Sequence, residues 1–319
     1  MITLKTNFNQ FLGTMVQDPF DGIDPDRKIY VEMGMFTPND PPGVYAVHDM
    51  AHYDGMVLSV HFFTEKWSSV EGTAVMVAPG IAIAAAHVIE EHIPSIMSGE
   101  VHIICAGFTP TGPRYWRVRH MTKADGTDVM VLSLEYASPI PDDGRFVQAT
   151  MTLRLPKIGE LVMIAGFRAS TEHVAADPDM HFPMLDGVMK YGADVLIGIG
   201  EVTQHYLSGR GVMLPGPGIE VACSTPGGLS GGPAFDATGN LIGTLTSSLD
   251  HADGRGPSLV SLLWPALVQP ITPAFLPQLL PESFKLLDLD PKLCGIDGRD
   301  AIHRAGGPDN GTIWIEIEV

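Results

Sequence analysis

The sequence predicts an all-β fold: two antiparallel six-stranded β-barrels, with an N-terminal arm and a C-terminal extension. Three observations predict it. Short apolar runs recur along the chain with turn residues between them. The runs fall into two sets of about six, separated by a polar break, as expected of two small barrels. Helical periodicity is weak everywhere except near His87 to Ile96.

The elements follow in order. Residues 1–52 are polar and rich in Pro, Asp and Gly, as in TPNDPPGVYAVHD, and read as an extended arm lying on the body. The body spans 53–268. Its first set of strands comprises Met56 to Phe62, Thr73 to Val77, Ile81 to Ala84, Val101 to Cys105, Tyr115 to Arg119 and Val129 to Leu134. Ala78-Pro79-Gly80 marks a turn within it. The break Ser138 to Arg145 (SPIPDDGR) places a seam near 138–158. The second set comprises Glu160 to Phe167, Ala193 to Ile199, Ile219 to Ala222, Pro233 to Phe235, Leu241 to Thr246 and Leu259 to Leu263. Asp236 to Asn240 has hairpin-turn composition, with Gly and Asn able to take positive φ. After Trp264 five prolines between Pro265 and Pro281 suggest a strap, so 269–319 reads as an extension, too short for its own core. It ends in TIWIEIEV, whose alternation predicts an edge strand from Thr312 to Val319.

Composition narrows the function. Of 319 residues, 45% are apolar, ample for packed cores. Nineteen Lys and Arg against 37 Asp and Glu give a net charge of −18, which argues against nucleic acid or an anionic membrane as partner. The three cysteines, Cys105, Cys223 and Cys294, are far apart, odd in number and form no C-x-x-C, which suggests a reducing compartment. The N-terminus lacks a basic lead-in and a continuous apolar core, and no apolar run reaches the roughly 18 residues of a membrane span. A cytoplasmic location is the expectation.

Three local patterns carry chemistry. They are Gly72-Thr-Ala-Val-Met-Val77 leading through Ala78-Pro-Gly to Ala84-Ala-Ala-His87, then Thr127-Asp128-Val-Met-Val-Leu-Ser-Leu134, then Thr225-Pro-Gly-Gly-Leu-Ser-Gly-Gly-Pro233. Together, and in this order, they resemble the trypsin-like (chymotrypsin-fold) serine proteases. The resemblance is strongest to the disulfide-poor bacterial branch that includes HtrA-type proteases, and it covers roughly residues 55–265. It implies serine endopeptidase activity with His87, Asp128 and Ser230 as a catalytic triad. The residue types suit that task. A serine hydroxyl is a poor nucleophile until a base takes its proton, histidine titrates in the right range, and a buried carboxylate orients the imidazole and offsets its charge.

The resemblance also implies an oxyanion hole formed by the backbone N–H groups of Gly228 and Ser230. The surrounding glycines allow the tight turn that this needs. Ser224, six residues before the nucleophile, would lie at the base of the primary pocket beside Thr225, with no acid there to attract Arg or Lys. Thr246, Ser247 and Ser248 match the strand edge on which relatives pair the substrate backbone. Ser248 would narrow the pocket mouth, so small or medium apolar residues are expected before the cut. Leu229 stands where secreted zymogens carry an acid that pairs with a newly cut N-terminus. That activation route is therefore closed, and the arm, the extension or a regulatory protein partner become candidates for control.

Other readings of the same letters are weaker. Gly228-Leu-Ser-Gly-Gly232 fits the G-x-S-x-G elbow of α/β-hydrolases, but a strand–turn–strand follows it rather than a helix, and the later His251 and His303 lack helpful context. His87-Val-Ile-Glu-Glu-His92 fits neither zinc-helix pattern, so no metal is expected. The triad chemistry needs no cofactor. Two alternatives stay open: a catalytically latent protease fold that binds peptides, and an esterase using the same triad. The expected partner in the first reading is a protein or peptide substrate.

Overall fold

The computed structural model describes residues 9–16, 28–33, 42–47, 54–63, 68–138, 146–169, 193–249, 256–275, 280–305 and 312–316. Strands dominate it. Three lie in the arm: β1 (Asn9–Val16), β2 (Lys28–Met33) and β3 (Gly43–Val47). Six form a first closed barrel: β4 (Val57–Phe63), β5 (Ser68–Ala78), β6 (Ile81–Ala85), β7 (His102–Thr109), β8 (Gly112–Lys123) and β9 (Val129–Tyr136). Two short helices, α1 (His87–Glu90) and α2 (Ile93–Met97), follow β6 where helical periodicity is expected.

Two short strands, β10 (Phe146–Ala149) and β11 (Met151–Thr152), occupy the seam. Residues 139–145 of the predicted break lie outside the described residues. The second barrel comprises β12 (Leu161–Ala169), β13 (Ala193–Tyr206), β14 (Gly218–Val221), β15 (Pro233–Asp236), β16 (Leu241–Ser248) and β17 (Ser258–Leu262). These six pair antiparallel in the ring β12–β13–β14–β17–β16–β15, which closes where β15 pairs back on β12. Both predicted barrels are therefore present. The turn from β15 to β16 is the predicted hairpin, with Gly239 at φ 86° and the Asp236 side chain accepting the amides of Thr238 and Asn240.

Burial explains why the strands read as unbroken apolar runs. Leu58, Val60 and Phe62 on β4, Ala82 and Ala84 on β6, and Met130 and Leu132 on β9 fill the first barrel. Their neighbours Val57, Ile81, Ile83, Val129 and Val131 face the opposite way, into a cluster shared with Met163, Ala165 and Phe167 of β12 and Val195, Ile197 and Ile199 of β13. Successive strand residues point to opposite faces, so a strand buried on both faces shows no alternation. The second barrel is filled by Val162, Ile164, Ile219, Val221, Ile242, Val260 and Leu262. The shared cluster welds the two barrels along one seam.

The arm and the extension are more closely built in than the sequence predicts. β1 pairs with β2 and with β10 of the seam, and β3 adds antiparallel to β13, with Val44 opposite Gly198. In the extension, Leu286, Leu287, Leu289, Cys294 and Ile296 join the inter-barrel cluster, and Phe275 packs on the first barrel, edge-on to Trp116 at 5.1 Å. Gly80 leaves room for it, since a Cβ there would lie 2.3 Å from the Phe275 Cβ. Two further short strands, β18 (Ile296–Asp297) and β19 (Ile302–Ala305), precede β20 (Thr312–Ile315), which pairs antiparallel with β19. The predicted final strand is thus half of a hairpin, and its residues 317–319 lie outside the described residues. The three thiols are free and buried, and burial pushes Cys105 and Cys294 up to about 12 and Cys223 up to about 11.

Candidate active site

His87 follows β6 at the start of α1. The run Ala82 to Ala86 is fully buried, and the small side chains of Ala84 and Ala85 let another backbone come close. That backbone is the Ser230 loop: a Cβ on Gly231 would lie 2.1 Å from the Thr73 carbonyl oxygen and 2.7 Å from the Ala85 nitrogen. Gly231 has φ 81°, a conformation that side chains rarely adopt, so only glycine serves here.

Asp128 sits at the entry to β9. The Thr127 hydroxyl donates to the Ala124 carbonyl at 2.7 Å and accepts the Val129 amide at 3.1 Å, which fixes the turn. Its neighbour holds the His87 segment through three contacts. The Asp128 carbonyl accepts the Ala86 amide at 2.8 Å, its Oδ1 accepts the His87 amide at 2.8 Å, and its Oδ2 lies 2.8 Å from His87 Nδ1. The other ring nitrogen, Nε2, lies 3.0 Å from Ser230 Oγ. The three residues that the sequence singles out, 41 and 143 positions apart from His87, therefore form one continuous line.

Electrostatics follow from this. The hydrogen bond to Asp128 raises the His87 pKa; partial burial opposes the rise, and the charges of Asp128, Glu90 and Glu91 add to it. The carboxylate is buried, with 7% of its side chain exposed, whereas the imidazole is 47% exposed and open to a ligand.

The Ser230 loop is pinned from both barrels. Thr73 of β5 donates its amide to the Ser230 carbonyl at 2.8 Å. Gly231 donates to Leu245 of β16 and Gly232 to Leu229, each at 2.8 Å. Leu229 is fully buried in the second barrel against Gly166, so apolar packing anchors the loop at the position where secreted zymogens use an ion pair. Gly228 has φ 97°. Among the described residues, no backbone carbonyl accepts the amide of Gly228 or of Ser230.

The residues expected to contact substrate divide into two groups. Thr225 and Ser248 meet, with the Thr225 amide donating to Ser248 Oγ at 3.1 Å. Ser258, which the sequence reading missed, completes that group: its Oγ lies 2.9 Å from Thr225 Oγ1 and donates to the Cys223 carbonyl at 2.7 Å. It faces Ser248 across the β16–β17 ladder. Ser224 lies half-buried in the loop between Cys223 and Thr225. In the second group, Thr246 and Ser247 line a cleft of about 390 Å³ together with His87, Asp128, Lys123 and Met213. Thr246 is buried and spends its hydroxyl on Ser261 at 2.6 Å, so it offers its backbone edge rather than its side chain. Ser247 donates to the Met213 carbonyl at 3.2 Å, tying the exposed loop with Val212 and Met213 to the cleft. No local signal marks this loop, because only the folded chain brings it beside His87.

Residues 72–243, more than half of the chain, match the family described as trypsin-like peptidase domain. The chain belongs to that family. Its sequence matches no curated protein. Similar solved structures include the apo MamO protease domain from Magnetospirillum magneticum, at 15% identity and a TM-score of 0.43, covering 68% of this chain and 94% of that one. Deg5 is similar at 16% identity and a TM-score of 0.41, over 65% and 83% of the two chains. The HtrA-type protease AlgW with a decapeptide is similar at 17% identity and 0.42, over 65% and 61%. Membership gives the trypsin-like peptidase family a chain with a double barrel and three free thiols.

Proposed function

We propose that this trypsin-like chain is a serine endopeptidase that cleaves proteins or peptides through an acyl-enzyme on Ser230. One observation carries the reading: the unbroken line from Ser230 Oγ through His87 to Asp128, at 3.0 Å and 2.8 Å. His87 Nε2 takes the Ser230 proton as Oγ attacks the scissile carbonyl. Asp128 holds Nδ1–H and offsets the imidazolium charge. The carbonyl oxygen, now negative, is met by the amides of Gly228 and Ser230. His87 then gives its proton to the leaving amine, and water repeats the cycle on the acyl-enzyme. The chemistry uses no cofactor.

The substrate strand lies along Thr246 to Ser248 and pairs with it by main-chain hydrogen bonds. The hydroxyl cluster of Thr225, Ser248 and Ser258 supports a short primary pocket with no charge at its end. The residue before the cut is accordingly small or medium and apolar. The buried free thiols support a reducing, cytoplasmic setting. Control by a protein partner or by the arm and extension fits the closed zymogen route at Leu229.

A peptide library incubated with the native chain and with Ser230→Ala tests this reading. Cleavage after small apolar residues, absent in the variant, supports it. Cleavage dominated by Arg or Asp before the cut contradicts the pocket assignment, and no cleavage by either chain moves the latent peptide-binding fold to the front.

A further inference from the structure

We propose that Thr73 is a positioning residue that sets the oxyanion side of the site, by clamping β12 to the loop that carries Ser230. The inference rests on the reading of Ser230 and Gly228 given above. Thr73 is fully buried on β5, where the two barrels meet. It makes three separate attachments. Its amide donates to the Ser230 carbonyl at 2.8 Å. Its own carbonyl lies so close to Gly231 that a Cβ there would stand 2.1 Å away. Its hydroxyl accepts the amide of Phe167, on β12 of the other barrel, at 2.8 Å.

The third attachment is the informative one. Residue Arg168 follows Phe167 directly, and its stem is the wall against which Gly228 rests: a Cβ on Gly228 would lie 3.2 Å from Arg168 Cγ and 3.5 Å from its Cα. The hydroxyl therefore fixes the strand that backs Gly228, while the amide of the same residue fixes Ser230. The adjoining residue Ala74 pairs with Ala84 of β6, the strand that runs into His87. Thr73 thus references the nucleophile and the backing of Gly228 to one frame, and its neighbour Ala74 ties that frame to the strand that carries the base. A donor aimed at a developing oxyanion loses its value when displaced by a fraction of an ångström, so this frame matters to the transition state more than to substrate binding.

Thr73→Val keeps size and branching and leaves the backbone attachments in place. It removes only the acceptor, and the buried Phe167 amide loses its partner. Thr73→Ser retains the acceptor. The experiment measures kcat and KM on a cleavable peptide and the Gly228 amide resonance by NMR, for the native chain and both variants, with thermal unfolding to verify folding. The expected result is a fall in kcat of about 100-fold for Thr73→Val with KM changed little, a shifted Gly228 resonance, and recovery of both in Thr73→Ser. The inference is overturned if Thr73→Val keeps its kcat and its Gly228 resonance, or if Thr73→Ser falls as far as Thr73→Val. If the native chain cleaves nothing, the endopeptidase reading fails by itself, and the Gly228 resonance still decides whether Thr73 holds that loop.

Discussion

Asp128 holds His87 at two points: one carboxylate oxygen accepts its backbone amide and the other lies against Nδ1, both at 2.8 Å. The imidazole is fixed in place and in tautomer, with Nε2 left for Ser230. Replacing Asp128 with Asn retains the shape but offers an amide where a carboxylate accepted. The expected loss in kcat is on the order of 10³–10⁴-fold with the fold intact. Steady-state kinetics on a peptide substrate measure it, and a loss under tenfold would contradict the assigned role.

The same contact predicts the pH profile. The His87 pKa lies above the ordinary 6.5 because of the Asp128 hydrogen bond, with Glu90 and Glu91 adding to it. The base must be neutral to accept a proton, so kcat/KM falls as pH drops through a value above 6.5. For stability the sign is opposite: the raised pKa contributes fully below the unfolded value and is lost as pH rises through the folded one. Glu90 is paired with Lys123 at 2.6 Å. Glu90→Gln removes a carboxylate and leaves the ammonium uncompensated, so the acid limb moves to lower pH. A limb that stays fixed would remove Glu90 from the electrostatics of the site.

Gly228 offers a test of the oxyanion side. At φ 97° with the Arg168 stem close by, alanine is strained and turns the peptide. Gly228→Ala should lower kcat by about 10²–10³-fold with little change in KM. An unchanged kcat in a folded variant would show that this amide does not meet the developing charge.

The extension yields a stability prediction. Arg299 donates to the carbonyls of Leu287 at 3.0 Å and of Leu289 and Cys294 at 2.8 Å, closing the tail around one guanidinium. Arg299→Ala strands these carbonyls and should cost about 2–4 kcal/mol in urea unfolding, with the kcat of the folded protein preserved. A cost under about 0.5 kcal/mol would mean that the tail is held by Leu286, Leu287 and Ile296 alone.

Much of this was legible in the sequence, for a physical reason. The strands announce themselves because Ile81 and Ile83 face one core while Ala82 and Ala84 face another, giving unbroken apolar runs. The three catalytic candidates are legible because each sits in a short motif shaped by local needs: alanines before His87, a turn before Asp128, glycines around Ser230. What escaped depends on register and distance. Ser258 joins Thr225 and Ser248 only because β16 pairs with β17 in one register. Thr73 reaches Phe167 across 94 residues, and no local pattern encodes that. The arm strand β3 hides in polar, Pro-rich sequence because only Tyr45 among its residues is buried. The extension hides for a related reason: its apolar residues pack through short 3₁₀ turns, such as Leu286–Asp288, which have no sequence period.

Everything proposed for this site depends on Ser230 being an activated nucleophile. The most direct measurement is covalent labelling by a fluorophosphonate probe, comparing the native chain with Ser230→Ala. Stoichiometric labelling that disappears in the variant is the expected result. A folded native chain that stays unlabelled, or equal labelling of both chains, would contradict it.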